Sequence, residues 1–153
     1  MGIMKKILTA LVIVAASSLF MATGAFAGTE VADVIEMNNP KYKKHKKSIC
    51  IFTHKKHAED YKIGCGECHH DENGKPIEGL KMGDDVQNCI ECHKIAAKAK
   101  PPKGEKWSKK KKREYHANAI HDNCIKCHKK HNKKTKTKDA PASCKGCHPK
   151  KKK

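Results

Sequence analysis

The chain has 153 residues, room for one ordinary domain and not for two. Lysine and arginine total 34 against 16 acidic residues, a formal charge of +18, and nine cysteines and eleven histidines stand out at this length. Such a composition excludes a conventional apolar core.

Lys5 and Lys6 precede an uncharged, mostly apolar run from Ile7 to Met21, and Ala25-Phe26-Ala27 is a small-residue cleavage site. This pattern reads as a secretory signal peptide, residues 1–27, cut after Ala27. The apolar run is short for a spanning helix and ends in small residues, so no membrane anchor is expected after cleavage. No cysteine near the cut offers a lipid attachment point. The remaining chain has 153 − 27 = 126 residues, with 34 − 2 = 32 basic against 16 acidic side chains, or +16. Only 14 of those 126 residues are Val, Ile, Leu or Phe. That is the composition of a chain too poor in apolar side chains to offset its own ordering entropy. Something other than side chains must supply the core.

The expected elements are few. Residues 28–47 are a basic lead with a short strand over Val31–Met37, and Ser48–Phe52 is a second short strand, β-branched and aromatic. Asp71-Glu72-Asn73-Gly74-Lys75-Pro76 is a turn. Val86–Ala99 reads as a helix, Lys100–Lys106 as a Pro/Gly/Lys loop, and Arg113–Lys129 as a second helix. Lys133–Pro141 is a polar loop, and residues 149–153 form a basic tail. No parallel-sheet pattern and no second domain are present. The expected domain spans 48–148.

The cysteines explain the missing core. Cys65-Gly66-Glu67-Cys68-His69, Cys89-Ile90-Glu91-Cys92-His93, Cys124-Ile125-Lys126-Cys127-His128 and Cys144-Lys145-Gly146-Cys147-His148 each read C-x-x-C-H. Eight of the nine cysteines lie in these motifs, which are the attachment pattern of c-type haem. Two thiols at this spacing add across the vinyl groups on one porphyrin edge, and the following histidine turns under the ring to ligate iron. Four thiol pairs could instead build two zinc sites or disulfides. Neither needs a histidine after every pair. With 11 histidines in 153 residues, four in four by chance is on the order of 1 in 40,000. The motifs recur unevenly, so this is no solenoid. The fold class expected is mainly α with much coil and one short β-hairpin or strand pair. It is a small single domain wrapped around four covalently bound haem c groups, and the haem-free chain should be largely unfolded.

The second axial ligand decides between carrier and enzyme. His69, His93, His128 and His148 belong to the motifs, leaving His45, His54, His57, His70, His116, His121 and His131. That is enough for a second histidine on every iron, whereas only Met37 and Met82 follow the leader. Irons closed by two histidines have no open position for a substrate and pass electrons through the porphyrin edge at low potential. His69 and His70 are adjacent, so their side chains diverge and suit two different haems. His54 and His57 lie at i, i+3 on one side of a helical turn and could also serve two. His45 and His131 sit in lysine runs and read as solvated. His116 and His121 compete for one role, and spacing does not choose between them.

The order F-x-H-x-x-H at Phe52–His57, C-x-x-C-H-H at Cys65–His70, C-x-x-C-H at Cys89–His93, His121-Asp122 and two further C-x-x-C-H motifs resembles the tetrahaem class III cytochromes c, over roughly Ile51 to His148. These are periplasmic carriers typical of sulfate-reducing bacteria. The resemblance implies that the haem on Cys65/Cys68/His69 takes His54 and that on Cys89/Cys92/His93 takes His70. It likewise implies His57 for Cys124/Cys127/His128 and His121 for Cys144/Cys147/His148. It implies electron exchange with acidic redox proteins of the hydrogenase or formate dehydrogenase type and with membrane cytochrome complexes. The chain departs from the family in two ways. All four motifs have two residues between the cysteines, where family members often have four in two of them. The segment from Lys94 to Arg113 is also unusually rich in lysine and carries the only tryptophan, Trp107.

Cys50 lies outside every motif and reads as a small apolar residue packed in its strand, with dimerisation through its thiol as the alternative. Lysines near the last motif, including Lys145 and Lys150 to Lys153, are expected to dock an acidic partner. Export and haem argue against nucleic acid as that partner, despite the lysine runs. Two other readings are a terminal reductase for metal ions or sulfur species and a subunit of a membrane-associated redox complex.

Overall fold

The computed structural model describes residues 31–150; the leader reading of residues 1–27 and the end of the basic tail lie outside them. Two strands, β1 (Ile35–Glu36) and β2 (Ile51–Phe52), pair antiparallel with Ile35 opposite Phe52 and Glu36 opposite Ile51. Both are shorter than the apolar runs suggested. The pairing continues on either side through single bonds, Met37 N to Cys50 O at 2.9 Å and Lys55 N to Asp33 O at 3.1 Å. Residues 31–47 of the lead are thus part of the same compact unit as the motifs.

Among the described residues, four α-helices follow: α1 (Cys89–Cys92), α2 (Lys109–Arg113), α3 (His116–Thr135) and α4 (Cys144–Cys147). The helix expected over Val86–Ala99 is corrected to the four residues of α1. Asn88 starts it by accepting the Ile90 N–H, and His93 ends it at φ −92°, ψ 68°. Beyond His93 the chain is captured by a tertiary pairing. The Ile95 N–H donates to Glu114 O, the Ile95 carbonyl accepts the His116 N–H, and Ala117 N donates to Ala97 O. An apolar spacing that suits a helix is overridden by backbone bonds to a segment twenty residues away.

The second expected helix, Arg113–Lys129, is also corrected. Ser108 caps the separate turn α2 by accepting the Lys111 N–H. The chain breaks at Tyr115 (φ −84°, ψ 112°), and α3 then runs on to Thr135, six residues past the expected end. It stops where Lys136 adopts φ 55°, so the polar loop begins there and not at Lys133. The turn over Asp71–Pro76 forms as expected. The Asp71 carboxylate accepts the N–H groups of Asn73 and Lys75, Gly74 takes φ +80°, and His70 bridges to Pro76.

Only two described side chains are buried, Ile90 at 2% exposure and His116 at 6%. Val34, Ile51, Tyr61 and Ile95 are among the large apolar side chains left exposed. The polypeptide is a thin frame of turns with almost no side-chain core of its own. Among the described residues, no helix is long and apolar enough to cross a membrane.

Candidate functional site

Each motif is held by a short turn that presents its histidine. Cys65–Glu67 forms a single tight turn after Gly64, α1 follows the Asn88 cap, and α4 follows Ser143, whose hydroxyl accepts the Gly146 N–H. The third motif lies inside α3 and needs no cap. Gly66 and Gly146 are small by necessity: a Cβ on Gly66 would sit 3.0 Å from the Ile77 carbonyl oxygen, and one on Gly146 3.0 Å from Pro141 Cβ.

The eight histidines meet in four pairs. Ring centres are 6.3 Å apart for His54 and His69, 6.0 Å for His70 and His93, 6.2 Å for His57 and His128, and 6.1 Å for His121 and His148. These are the four pairings implied by the family resemblance. An imidazole nitrogen ligates a transition metal at about 2 Å and its ring centre lies about 1.1 Å behind, so two rings on opposite sides of one metal have centres about 6.2 Å apart. The observed spacing fits one metal between each pair, and the residues present fit a bis-histidine haem at each motif.

Proton placement fits as well. Nδ1 of His57 donates to Thr53 O, His70 to Asp71 O, His93 to Arg113 O, His121 to Ala117 O, His128 to Pro141 O and His148 to Ser48 O. A carbonyl can only accept, so Nδ1 carries the hydrogen in all six and Nε2 keeps a free lone pair for a metal. Burial, with the neighbouring His54 and His70, holds His69 below the usual imidazole range. Burial does the same for His121 against the opposing pull of the Ala117 carbonyl. Both stay neutral, the form that ligates.

Several thiols from different motifs lie near Cys124. Burial, then the nearby thiols of Cys68, Cys50, Cys147 and Cys89, pushes Cys124 up to about 11. A cleft of about 340 Å³ is lined by Cys68, His70, Cys89, His93, Arg113 and Cys127, among others, so three motifs open onto it. Among the described residues, His, Cys, Asp and Glu side chains nowhere gather in threes to hold one metal ion, so the thiols are not arranged as four-sulfur zinc sites.

The remaining histidines have other partners. His116 is buried, and its Nδ1 lies 2.8 Å from the Tyr42 hydroxyl. His45 stacks on Tyr42, and exposed His131 places its Nε2 3.5 Å from the Asp139 carboxylate. His121, not His116, faces His148. Cys50 stands just before β2, half-buried, where burial and nearby Cys147 push its thiol up. Sequence reasoning missed the carbonyls that orient the rings. Only Thr53 and Ala117, four residues before His57 and His121, follow a helical spacing; Arg113, Pro141 and Ser48 come from distant segments and leave no sequence signal.

Thiol pairs each followed by a histidine, each such histidine facing another across a metal-sized gap, form the donor set of a multihaem c-type cytochrome. The family model for the class III cytochrome c family matches residues 31–148, and the chain belongs to that family. Searches of curated proteins and of solved structures return no match. The family makes this an electron-transfer cytochrome carrying covalently bound haem c. The match begins at residue 31, well before the first motif, in agreement with the packing of the lead onto β2.

Proposed function

We propose that this chain, exported with residues 1–27 removed, is a periplasmic carrier holding four haem c groups, each closed by two histidines. Attachment is at Cys65/Cys68, Cys89/Cys92, Cys124/Cys127 and Cys144/Cys147. The axial pairs are His54/His69, His70/His93, His57/His128 and His121/His148. The observation that carries this reading is the 6.0–6.3 Å spacing of four separate imidazole pairs. Haem supplies a one-electron iron couple, and the protein's part is to close both axial positions and hold the sites close together.

The chain is well suited to the second task. His69 and His70 are neighbours, and His54 and His57 are three residues apart. His121 and His128 lie seven residues apart on α3, about 10 Å along its axis at about 1.5 Å per residue. Each of these links ties two sites through one rigid stretch of backbone. An electron placed on one site has neighbours within a short distance, and no site offers a substrate an open position.

The partners that fit are acidic redox proteins of the hydrogenase or formate dehydrogenase type, or membrane cytochrome complexes. Beside the lysines of the last motif, α2 supplies five successive cations, Lys109 to Arg113. Lys111 pairs with Glu114 and Arg113 with Asp122, while Lys109, Lys110 and Lys112 form no ion pair among the described residues. The His93 ring is bonded to the carbonyl of Arg113, so this face adjoins an electron-carrying site. Such a surface steers an acidic partner in a salt-dependent way.

Native mass and an absorption spectrum with and without carbon monoxide test the core of the proposal. The expected result is residues 28–153 plus four haems, low-spin and indifferent to carbon monoxide. A carbon monoxide shift would mean an open iron and favour a reductase, and fewer haems would overturn the assignment. Reduction by hydrogenase should slow as salt rises; a salt-independent rate would remove electrostatic docking.

A further inference from the structure

The four histidine pairs are not equivalent. In three of them both rings donate Nδ1–H to a backbone carbonyl. In the fourth, neither does. His54 Nδ1 is buried with no hydrogen-bond partner, and His69 makes no side-chain hydrogen bond among the described residues. The same pair differs in ring orientation: His54 and His69 are nearly perpendicular at 85°, against 60°, 47° and 29° for the others.

Both features act on an iron in the same direction. A hydrogen bond from Nδ1–H to a carbonyl gives the imidazole partial anionic character, makes it a stronger donor and stabilises the ferric state. Where the bond is missing, the ferric state loses that support. Ring orientation acts through π-donation. Two parallel rings raise the same iron d orbital, which accommodates the ferric hole, whereas perpendicular rings raise two different orbitals equally and give the hole no preferred place.

Surface charge could oppose this order by raising the potential at the His70/His93 site, which Arg113, Lys126 and the exposed Lys130 adjoin. Arg113 and Lys126 are paired with Asp122 and more than half exposed, so their effect is offset and screened, and the exposed Lys130 acts through solvent and is screened. The Nδ1 contacts belong to the ligand rings themselves.

We propose that His54 and His69 make the haem attached at Cys65 and Cys68 the highest in potential of the four, the one that takes the first electron. This rests on the axial pairing proposed above. The geometry also supplies a spectroscopic label: perpendicular rings give a ferric haem a broad, high-gmax electron paramagnetic resonance signal, and rings nearer parallel give rhombic ones.

The test is a reductive titration of the fully loaded protein followed by electron paramagnetic resonance. One ferric haem of the four should show the high-gmax signal, and that signal should vanish first. Exchange NMR across the same titration, with each haem assigned through its own cysteine and histidine protons, should place the Cys65/Cys68 haem first. Loss of the high-gmax signal with or after the others overturns the proposal while leaving the pairing intact, and so does first reduction at another motif. A high-spin ferric signal overturns the pairing and the proposal together. In Asn132→Ala, loss of both Asn132 hydrogen bonds to Ala140 should loosen the Pro141 carbonyl that holds His128. The Cys124/Cys127 haem should then move toward earlier reduction, and an unchanged position would show that the carbonyl contacts do not set the order.

Discussion

The second and third motifs share one pattern, yet one occupies a four-residue helix and the other the middle of a helix of twenty. Around Cys89 the turn begins at the Asn88 cap and ends as soon as His93 is placed. Around Cys124 the same spacing rides on α3 between His121 and His131, with Asn123 in the position that Asn88 holds. The outcome at the histidine is nevertheless the same. His93 Nδ1 reaches the carbonyl of Arg113, twenty residues on, and His128 Nδ1 that of Pro141, thirteen residues on. C-x-x-C-H therefore specifies one turn and a histidine at its end. Whether a helix surrounds that turn is decided by what the flanking chain pairs with.

If the frame is as coreless as its burial suggests, neither helix should outlast loss of haem, and this is the largest effect expected. The chain produced without haem attachment should show little helical circular dichroism and no cooperative thermal transition. Even twenty residues are marginal for a helix without packing, and α3 is crowded with lysine. A haem-free chain that keeps α3 while losing α1 would break the comparison in an instructive way, since the third motif would then be preformed and the second not.

A smaller effect concerns the contact that joins the two regions. His116, the first residue of α3, donates its backbone N–H to the Ile95 carbonyl and faces the Tyr42 hydroxyl. Tyr42→Phe should cost about 1 kcal/mol, measured by denaturant unfolding of the loaded protein, because a buried ring nitrogen loses its partner. Burial, with His93 nearby, holds His116 below its ordinary value of 6.5. The group is neutral when folded and takes up a proton more readily when unfolded. Its contribution is therefore fully present above about pH 6.5 and is lost as pH falls through the lower folded value. His116→Asn should flatten that part of the pH–stability profile, and an unchanged acid limb would mean His116 is not the group responsible.

The smallest effect separates the motifs most directly. Asn88→Ala removes a cap and should cost about 1 kcal/mol. Asn123→Ala, at an exposed mid-helix position, should stay within about 0.5 kcal/mol of wild type. Equal costs would show that Asn123 does more than occupy the helix.

Legibility in the sequence followed the range of the forces involved. The four attachment motifs were readable because their chemistry is complete within five residues. The Asp71–Pro76 turn was readable because Asp71 and Gly74 carry its geometry locally. The helix expected over Val86–Ala99 rests on Val86, Ile90 and Ala97, which repeat at helical spacing, while the bonds that straighten residues 95–97 come from Glu114, His116 and Ala117. Gly64, Asn88 and Ser143, the cap residues directly before three of the motifs, are a local signal for short motif helices.

By itself, the sequence determined that this chain carries haem c and that its own side chains make no core. Both follow from residue type and local spacing: thiols two apart beside a histidine, and too few apolar residues among too many lysines. Family resemblance, not spacing, supplied the second histidine of each pair. Tertiary structure decided which rings come within reach of one another, that His116 turns to Tyr42 while His121 faces His148, and which imidazoles find a carbonyl. Those outcomes depend on backbone groups brought in from segments up to a hundred residues away, as when Ser48 receives His148. A carbonyl is present on every residue, so its position in space leaves no mark on the sequence.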